Sequence, residues 1–591
     1  MGRWRAIWGV ELAAYVACLL TIMWRIPSIC SPLWLKECIA HPSCARFLHR
    51  GWLGPTLDTA DDQWRDLREN LPLIWVAITA HGLLSFLVRR SCPDDSSQRQ
   101  AEASNLSDKT QPGVESSSRD SPKSGRKVTA GTPGFHAPMA FLPMGELGRR
   151  RALLNTAVSV VFAGAMHGAH SIFPLAFVSG AFVVGHALKG TRLAQPVTWI
   201  FAVLLVWLKE RWYRAFTFGR LFGPALSWLD GLAGMHPWRL SFNLAILRIV
   251  SFNIDLHWAE QQRKASATGA KDDRRVEEDR DVYDYSARVS AHRPMSDYSL
   301  WHCLGYVFYA PLYLAGPTIT YNAYVSHLAS PQRSYGRVGM LVYLARFAFA
   351  LFLLEWGTHY LPVFALARSK LLDFRPDVLA LFVYTMLLIM WLKFLVIWRL
   401  FRFWALCDGV EPPENMRRCM SNNYSVGEFW KGWHCSFNRW LVRYIYIPLG
   451  GSKAGTMGRW NVFVVFLFVA FWHDVEPKLF AWGILNGMFL ALEMWVKEVY
   501  RRSAALESCR ANPLANRMVQ AVGATSNVFA LLLVNMIGYA VGIRGVGRVA
   551  DGVFVDREGL VVFCWSFAYL FSGVQVHLHH EQRMPFSASA R

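Results

Sequence analysis

Two histidines have the chemistry and the surroundings needed to move a proton. His473 follows the apolar run 460–472, which has no ionisable side chain, and Asp474 and Pro477 come soon after it. An imidazole and a carboxylate at membrane depth are costly, so they usually face a protein interior or a water-filled cavity. Pro477 has no backbone N–H and should break the helix there, which opens backbone groups toward such a cavity. The alternative is that the His–Asp pair only marks the membrane–water boundary.

The second histidine, His434, lies inside the aromatic and basic stretch FWKGWHCSFNRWLVRYIYIPLGG. Trp430, Trp433, Arg443 and Tyr446 belong to the same stretch. A belt of aromatic and positive side chains at the membrane interface would explain these four residues. It does not explain a central histidine, or the paired glycines at the end, which let the backbone approach another group closely. We therefore expect the stretch to form part of a site.

The polar neighbours of the two histidines have more ordinary explanations. Asp474 is adjacent to His473, so on a helix its side chain points about 100° away. We expect Asp474 to act at the helix end or to bind a partner, rather than to orient the imidazole as the carboxylate of a triad does. Ser436 could be a nucleophile beside His434, but we expect its hydroxyl to be structural.

The elements that carry these residues are predicted to be membrane spans. A spanning helix needs about 20 mostly apolar residues. Such runs lie at roughly 6–24, 71–88, 152–168, 171–189, 196–212, 300–326, 337–363, 376–400, 459–473, 479–497, 524–543 and 558–577. Shorter apolar stretches near 215–235 and 240–258 could span, re-enter or lie at the interface. The sequence thus predicts an all-α polytopic membrane protein with about ten to thirteen transmembrane and re-entrant helices.

The composition fits one membrane protein rather than several soluble domains. Of the 591 residues, 53% are hydrophobic and 14% aromatic. A net charge of +20 often indicates nucleic-acid binding. Here the basic residues cluster beside hydrophobic runs, as at 89–90 and 149–151, so topology signals and anionic headgroups explain them better and no nucleic acid is expected. Arg3, Arg5 and Arg89 favour a cytosolic N-terminus and a cytosolic loop after the second span.

Two polar segments and the cysteines complete the outline. Residues 92–135 have almost no large apolar side chains and are predicted to be disordered. Residues 261–297 mix both charge signs and are predicted to form an exposed loop. Three of the eleven cysteines, Cys30, Cys38 and Cys44, fall between the first two spans, where two of them could pair in an oxidising lumen.

Several stretches together carry a resemblance to a known family. WKGWHCSFNRWLVRYIYIPLGG followed by FVAFWHD is similar to the paired signature of membrane-bound O-acyltransferases, closest to the glycerol-uptake-protein branch, which is related to the hedgehog acyltransferases. LRIVSFNIDLHW at 247–258, FYAPLYLAGPTITYN at 308–322 and LVNMIGYAVG at 533–542 agree as well. The resemblance covers about residues 240–545, which are predicted to be the catalytic core. By composition, the rest of the chain divides into N-terminal spans with a luminal loop (1–91), a mostly disordered polar loop (92–150), further spans (151–239) and a C-terminal span and tail (546–591).

The resemblance implies a helical bundle around a tunnel in which an acyl-CoA thioester meets an acceptor hydroxyl or amine. His473 matches the general base of the family, and a neutral imidazole suits that task near neutral pH. His434 matches a second, more variable position and is expected to orient the substrate or to donate a hydrogen bond to the oxyanion. No tightly bound cofactor is expected, because acyl-CoA is a co-substrate, and no metal is expected, because the cysteines show no zinc-type spacing. A thioester is already activated, so no Ser–His–Asp arrangement is required. The residues expected to bind substrate or to line the tunnel are Trp430, Trp433, Arg443, Tyr446, Asp474, Tyr321 and Asn322.

Other polar residues have structural and functional interpretations side by side. Arg248 and Asp255 would share a helix face; they could bind phosphate, but we favour an anchoring role. Pro311, Gly316 and Pro317 predict a broken helix, which is tolerated beside protein or a wet cavity. His167, His170 and His186 are expected to be ordinary residues of the helical bundle. Cys419 is expected to be an ordinary cysteine, although a relative could use a thiolate at this position for haem or lipid attachment.

The resemblance also implies a cellular role. We expect a multi-pass protein of the endoplasmic reticulum membrane, with the Golgi or plasma membrane as alternatives. Its expected partners are long-chain acyl-CoA and a lipid acceptor, a lyso-glycosylphosphatidylinositol (lyso-GPI) anchor lipid. The alternatives are acylation of a secreted protein as in the hedgehog-type enzymes, transport of glycerol or another small solute, and a catalytically silent regulator. The absence of a visible internal repeat argues against a transporter.

Overall fold

The computed structural model describes residues 26–54, 56–91, 144–212, 216–268, 284–370, 374–451, 457–555 and 557–583, with isolated positions before residue 26. The first predicted span, 6–24, lies almost entirely outside these residues, and the polar loop 92–135 lies wholly outside them. The described residues are overwhelmingly helical, with one two-stranded hairpin. The predicted class, an all-α polytopic membrane protein, is confirmed.

A small cap precedes the first long helix of the described part. It consists of a π-helical turn (Ile26–Cys30), α1 (Ser31–Ala40), α2 (Pro42–Ala45), β1 (Leu48–His49) and β2 (Leu57–Asp58). A disulfide joins Cys38 to Cys44, so the prediction that two of the three early cysteines pair is confirmed. The side of the bundle that carries this disulfide is called the disulfide face.

Four long helices then run back and forth across the bundle. They are α3 (Asp62–Ser91), α4 (Glu146–His167), α5 (Ile172–Leu188) and α6 (Ala194–Trp212), followed by short α7 (Phe218–Leu221) and a 3₁₀ turn (Pro224–Gly231). Helix α3 begins at the disulfide face and ends with Arg89 and Arg90 on the opposite side, which is called the arginine face. Helix α4 begins there at Glu146, inside the segment 92–150 assigned to the polar loop.

Helix α8 (Trp238–Ala267) lies at the centre of the bundle. Every residue from 245 to 257 is buried, as expected of a helix surrounded by other helices. The 240–258 stretch is thus part of a long core helix. Because α8 extends to Ala267 and α9 (Tyr285–Ser290) follows with Arg288 buried, the interpretation of 261–297 as one exposed loop is wrong at both ends.

The predicted span 300–326 is not one helix. It is divided into α10 (Leu300–Val307), α11 (Ala310–Tyr313) and the start of α12 (Tyr321–Ala329), so the break predicted between 311 and 317 is confirmed. Arg248 of α8 donates hydrogen bonds to the carbonyls of Val307 (2.8 Å) and Leu312 (2.5 Å) around this break. The buried guanidinium thus satisfies backbone groups that a continuous helix would have paired.

The remaining helices build the other half of the bundle. They are α13 (Arg337–Tyr360), α14 (Val363–Ser369), α15 (Pro376–Cys407), α16 (Val426–Gly432), α17 (Cys435–Leu441) with a π-helical turn (Val442–Tyr446), α18 (Met457–His473), α19 (Pro477–Arg502), α20 (Glu507–Ala511), α21 (Pro513–Asn535) with a π-helical turn (Met536–Ala540), α22 (Gly542–Phe554) and α23 (Arg557–Arg583). Within the described residues, seven helices are long and apolar enough to cross a membrane. The sequence predicted more spans, partly because 300–326 was counted as one of them.

A buried carboxylate ties the helices together near the arginine face. Asp408, directly after α15, accepts hydrogen bonds from Ser85 (2.6 Å), Asn155 (2.9 Å) and Tyr309 (2.6 Å). These donors come from α3, α4 and the two-residue link between α10 and α11. One side chain therefore fixes the relative positions of helices that surround the central cavity.

Candidate active site

A cavity of about 1470 Å³ runs through the bundle and is lined by both histidines that the sequence analysis selected. His473 is the last residue of α18, and His434 lies between α16 and α17. Two residues from separate sequence blocks therefore meet at one cavity.

The helical hairpin of α18 and α19 positions His473. The two helices approach closely at Gly483, where an added Cβ would lie 2.9 Å from the Phe466 carbonyl oxygen. Small residues allow such close packing of membrane helices. The end of α18 is also tied to α8, since Asn243 Nδ2 donates to the Trp472 carbonyl (2.5 Å) and Trp472 Nε1 donates to the Asn243 carbonyl (2.8 Å).

The His473 ring is accessible because it faces the cavity, although it lies deep in the bundle. Aromatic rings surround it, with centroid distances of 4.8 Å to Trp472, 6.3 Å to Trp482 and 5.7 Å to Tyr539. Among the described residues no group hydrogen-bonds to the imidazole. Its nitrogens are therefore available to a substrate in the cavity.

Asp474 lines the cavity but does not orient His473. Its Oδ1 accepts a hydrogen bond from the backbone N–H of Val475 at 2.8 Å, as expected of a group at a helix end. Burial raises the pKa of Asp474 above its usual value, and the nearby Glu210 carboxylate adds to this effect. The arrangement is not a catalytic triad.

His434 has an unusual backbone conformation. Its φ of 48° and ψ of 49° lie in the left-handed region, which residues with a Cβ seldom adopt, and it makes no side-chain capping bond to α17. The ring lies 4.4 Å from Trp398 and 5.2 Å from Phe437, centroid to centroid. Its Nδ1 is buried without a hydrogen-bond partner among the described residues. Strained residues with unpaired polar atoms are concentrated at functional sites.

Three aromatic residues of the 429–451 stretch line the cavity. Trp430 Nε1 donates to Asn486 Oδ1 at 3.0 Å, and its ring packs at 5.4 Å against Trp482. Trp433 stacks on Phe429 at 5.7 Å, and Tyr446 completes this wall. The wall is therefore rigid and largely apolar.

Three other predicted lining residues are not at the cavity, and this is a correction. Arg443 instead donates to the buried Asp255 carboxylate at 3.0 Å. The backbone N–H of Asn322 donates to the same carboxylate at 3.3 Å, and the Tyr321 hydroxyl donates to the Asp297 carbonyl. These residues form a buried polar network that holds α8, α12 and α17 together.

The remaining polar candidates have structural partners. Ser436 Oγ accepts a hydrogen bond from the Thr318 N–H (2.8 Å), so it pins the broken-helix segment to α17, as its structural interpretation predicted. His167 contacts the Tyr313 hydroxyl at 2.9 Å, and His170 contacts Asp230 at 3.3 Å. Arg248 and Asp255 do not pair with each other, but both anchor the bundle as favoured.

Both ends of the cavity are polar, whereas its middle is apolar. At the disulfide face the polar lining residues are Asp62, Gln63, Asp66, Asn70, Lys209, Glu210, His236, Arg239 and Asp474. At the other end they are Asn423, Ser425, Glu428, Lys431, Glu493 and Lys497. Glu493 lies 16 residues after Pro477 on α19, which is about 24 Å along the helix axis. The cavity thus spans most of the thickness of the bundle.

Sequence reasoning missed several wall residues. Trp398 and Trp482 belong to ordinary apolar runs, so nothing in their local pattern distinguishes them from core residues. Phe437 lies inside the 429–451 stretch, but it was not assigned a role. Tyr539 and Asn535 lie in the stretch LVNMIGYAVG, whose resemblance was noted without a role for either residue. For these wall residues, the resemblance of that stretch was the one feature of the sequence that pointed to a role in the site.

Comparison with known proteins agrees with this geometry. A model of MBOAT, the membrane-bound O-acyltransferase family, matches residues 235–534. The chain is 30% identical to Membrane-bound O-acyltransferase gup1 of Schizosaccharomyces pombe, over 97% of this chain and 88% of that protein. It is 35% identical to Membrane-bound O-acyltransferase GUP1 of Saccharomyces cerevisiae, over 71% and 73%. It is 26% identical to Protein-cysteine N-palmitoyltransferase HHAT of Mus musculus, over 46% and 56%. The chain therefore belongs to the membrane-bound O-acyltransferase family and is an acyltransferase embedded in the membrane.

Proposed function

We propose that this acyltransferase moves a fatty acyl group from acyl-CoA to a hydroxyl of a lyso-GPI anchor lipid in the membrane of the endoplasmic reticulum. The observation that carries the proposal is a cavity with polar ends and an apolar middle, with His473 and His434 on its wall. Such a passage suits two substrates that arrive from different sides and react between them.

The chemistry needs one proton acceptor and one hydrogen-bond donor. His473 accepts the proton of the acceptor hydroxyl as its oxygen attacks the thioester carbonyl carbon. His434 donates a hydrogen bond to the oxygen on which negative charge develops. The carbon–sulfur bond then breaks, and the leaving CoA thiolate takes the proton back from His473. The products are the ester and free CoA, with no covalent enzyme intermediate.

Two features of the walls support a lipid acceptor. Leu73 of α3 and Leu240 of α8 line the cavity and are also 48% and 54% exposed, which indicates an opening toward the surrounding membrane. Close to them lie Asp66, Asn70 and Arg239, which suit a headgroup rich in hydroxyl and phosphate groups. Acyl-CoA would then enter at the other end of the cavity, which Lys431 and Lys497 line.

The proposal is tested with purified protein in nanodiscs that receive radiolabelled palmitoyl-CoA and one acceptor at a time. The acceptors are lyso-GPI, lysophosphatidylinositol, glycerol and a peptide with an N-terminal cysteine. We expect label in the GPI lipid at a rate well above that of the other acceptors, and none with His473→Ala. Label on the peptide amine alone would contradict the lipid acceptor and would show that the acceptor is a protein. Glycerol flux through proteoliposomes without any acylation would contradict acyl transfer altogether.

A further inference from the structure

The beginning of helix α17 is capped in an unusual way. The first N–H groups of a helix lack intrahelical partners, and the residue before the helix normally accepts one of them with its side chain. His434 holds that position, but its left-handed backbone directs its side chain away, and it makes no capping bond. Another residue has to satisfy these N–H groups.

Asn415 does so from a separate segment of the chain. Its Oδ1 accepts a hydrogen bond from the Ser436 N–H at 3.1 Å, and its backbone carbonyl accepts one from the Cys435 N–H at 3.1 Å. Asn415 is completely buried, and its Nδ2 has no partner among the described residues. Capping is therefore the one hydrogen-bonding task of this side chain within the described part of the chain.

The same segment also holds the residues before His434. Met416 pairs with Trp433 in an antiparallel bridge, and the Arg417 N–H donates to the Gly432 carbonyl at 3.2 Å. The chain is thus fixed on both sides of His434 by residues 415–417. A left-handed conformation persists only where the surroundings determine it in this way.

We propose that Asn415 is a positioning residue for His434: by capping α17 in place of His434, it holds that residue left-handed with its ring at the cavity. The inference rests on the role proposed above for His434. Without the Asn415 side chain, two competing outcomes arise for the Ser436 N–H. Either it stays unpaired, or the backbone at 434 relaxes so that the imidazole turns back to cap the helix. In the second case the His434 ring turns away from the cavity and no longer contacts the substrate.

A kinetic cycle in the full-length protein distinguishes positioning from general support of the fold. The variants are Asn415→Ala, His434→Ala and the double variant, with Asn415→Asp as the conservative replacement. Aspartate has the same shape, retains an oxygen acceptor, and carries a charge that is favourable at a helix N-terminus. The matched control is Asn253→Ala. Like Asn415, Asn253 is a buried asparagine of the helical bundle, and its side chain is 3% exposed. It donates a hydrogen bond to the Ala181 carbonyl at 3.1 Å and does not line the cavity.

We expect Asn415→Ala to lower kcat about tenfold with KM changed less than about twofold, and Asn415→Asp to stay within about threefold of the parent. In the His434→Ala background, Asn415→Ala should change kcat by less than about twofold, because residues that act as one unit are not additive. Asn253→Ala should lower the melting temperature and leave kcat unchanged.

Three results would overturn the inference: an unchanged kcat for Asn415→Ala, a loss that Asn415→Asp does not rescue, or an equal loss with and without His434. Should Asn415→Ala fail to fold, Asn415→Gln, which moves the oxygen by one methylene, takes its place in the same cycle with the same criteria. A His434→Ala variant with full activity would instead contradict the role proposed for His434, so the two failures are distinguishable.

Discussion

The two histidines at the cavity are held in different ways. His473 ends a helix and is surrounded by aromatic rings with no hydrogen bond from the described residues, whereas His434 is held by its strained backbone. The sequence predicted both residues, because an imidazole in an apolar or aromatic run needs a special reason to be there. It could not predict the left-handed conformation of His434, since the cap that permits it comes from a distant segment.

Variants at His434 should distinguish the effect of its backbone conformation on activity from the effect of its side chain. Asparagine tolerates the left-handed region and keeps a hydrogen-bond donor, glycine tolerates it without a side chain, and alanine has neither advantage. We expect His434→Asn to retain the highest kcat, with His434→Gly and His434→Ala both at least about tenfold lower. Initial rates in nanodiscs at saturating acyl-CoA measure this. If glycine equalled asparagine, the conformation alone would matter and the donor role would be wrong.

Arg443 is expected to act on stability rather than on catalysis. Its removal leaves the buried Asp255 without a cation, which typically costs about 3 kcal/mol. Arg443→Ala should lower the melting temperature markedly while the kcat of the folded protein stays within about twofold. Arg443→Met combined with Asp255→Asn should recover part of the stability, since no charge is then buried. A stable Arg443→Ala protein with a tenfold lower kcat would contradict this prediction and would show that Arg443 acts in the active site.

At the scale of elements, the site depends on a helical hairpin and a π-helical turn. Helices α18 and α19 bring His473 to the cavity through close contact at Gly483 and Gly487. The turn Val442–Tyr446 inserts an extra residue into the helical repeat, which changes the direction of the side chains that follow. Arg443 consequently points to Asp255 while Tyr446 faces the cavity, a distinction that a regular helical pattern could not have predicted.

The hairpin contact can be tested with one methyl group. In Gly483→Ala the new Cβ would lie 2.9 Å from the Phe466 carbonyl, so α18 must shift and carry His473 with it. We expect kcat to fall about tenfold, because small displacements of catalytic groups have large effects. The matched control is Gly523→Ala in α21, where an added Cβ meets nothing within 4 Å. Equal kcat values for the two variants would show that the hairpin does not need this contact.

The cap on the disulfide face should make stability depend on pH. Asp58 in β2 is buried and accepts hydrogen bonds from the N–H groups of Ala60 (3.0 Å) and Ala365 (2.9 Å). Burial, with the Asp61 carboxylate adding to it, raises the pKa of Asp58 to about 7. The unfolded chain loses this proton near pH 3.9, so the folded state binds more protons between about pH 4 and 7, and stability falls as pH rises through that window.

Asp58→Asn removes this titration. The melting temperature of the variant minus that of the parent should therefore increase from pH 5 to pH 7.5 and stay constant above that, as measured by thermal unfolding in detergent. A difference that does not change with pH would contradict the raised pKa of this carboxyl.

At the scale of the whole molecule, the sequence predicted the class of fold and the pairing of two sequence blocks at one site. It did not predict that residues 240–258 belong to the long core helix α8, because hydropathy does not distinguish a surface that faces lipid from one that faces other helices. Tyr321 and Asn322 were misassigned for the same reason, since polar residues at a broken helix can face a cavity or satisfy a buried network. The cavity itself, open at two polar ends, follows from the packing of helices distant in sequence.

The central claim is that the imidazole of His473 accepts a proton from the acceptor inside this cavity. The most direct measurement compares single-turnover acyl transfer by the parent, His473→Ala and His186→Ala in nanodiscs. His186 is a matched control because its Nδ1 bonds to the Phe182 carbonyl at 3.1 Å and its ring is not part of the cavity wall. We predict a rate at least about 100-fold lower for His473→Ala and an unchanged rate for His186→Ala. Equal rates for the parent and His473→Ala would contradict the account.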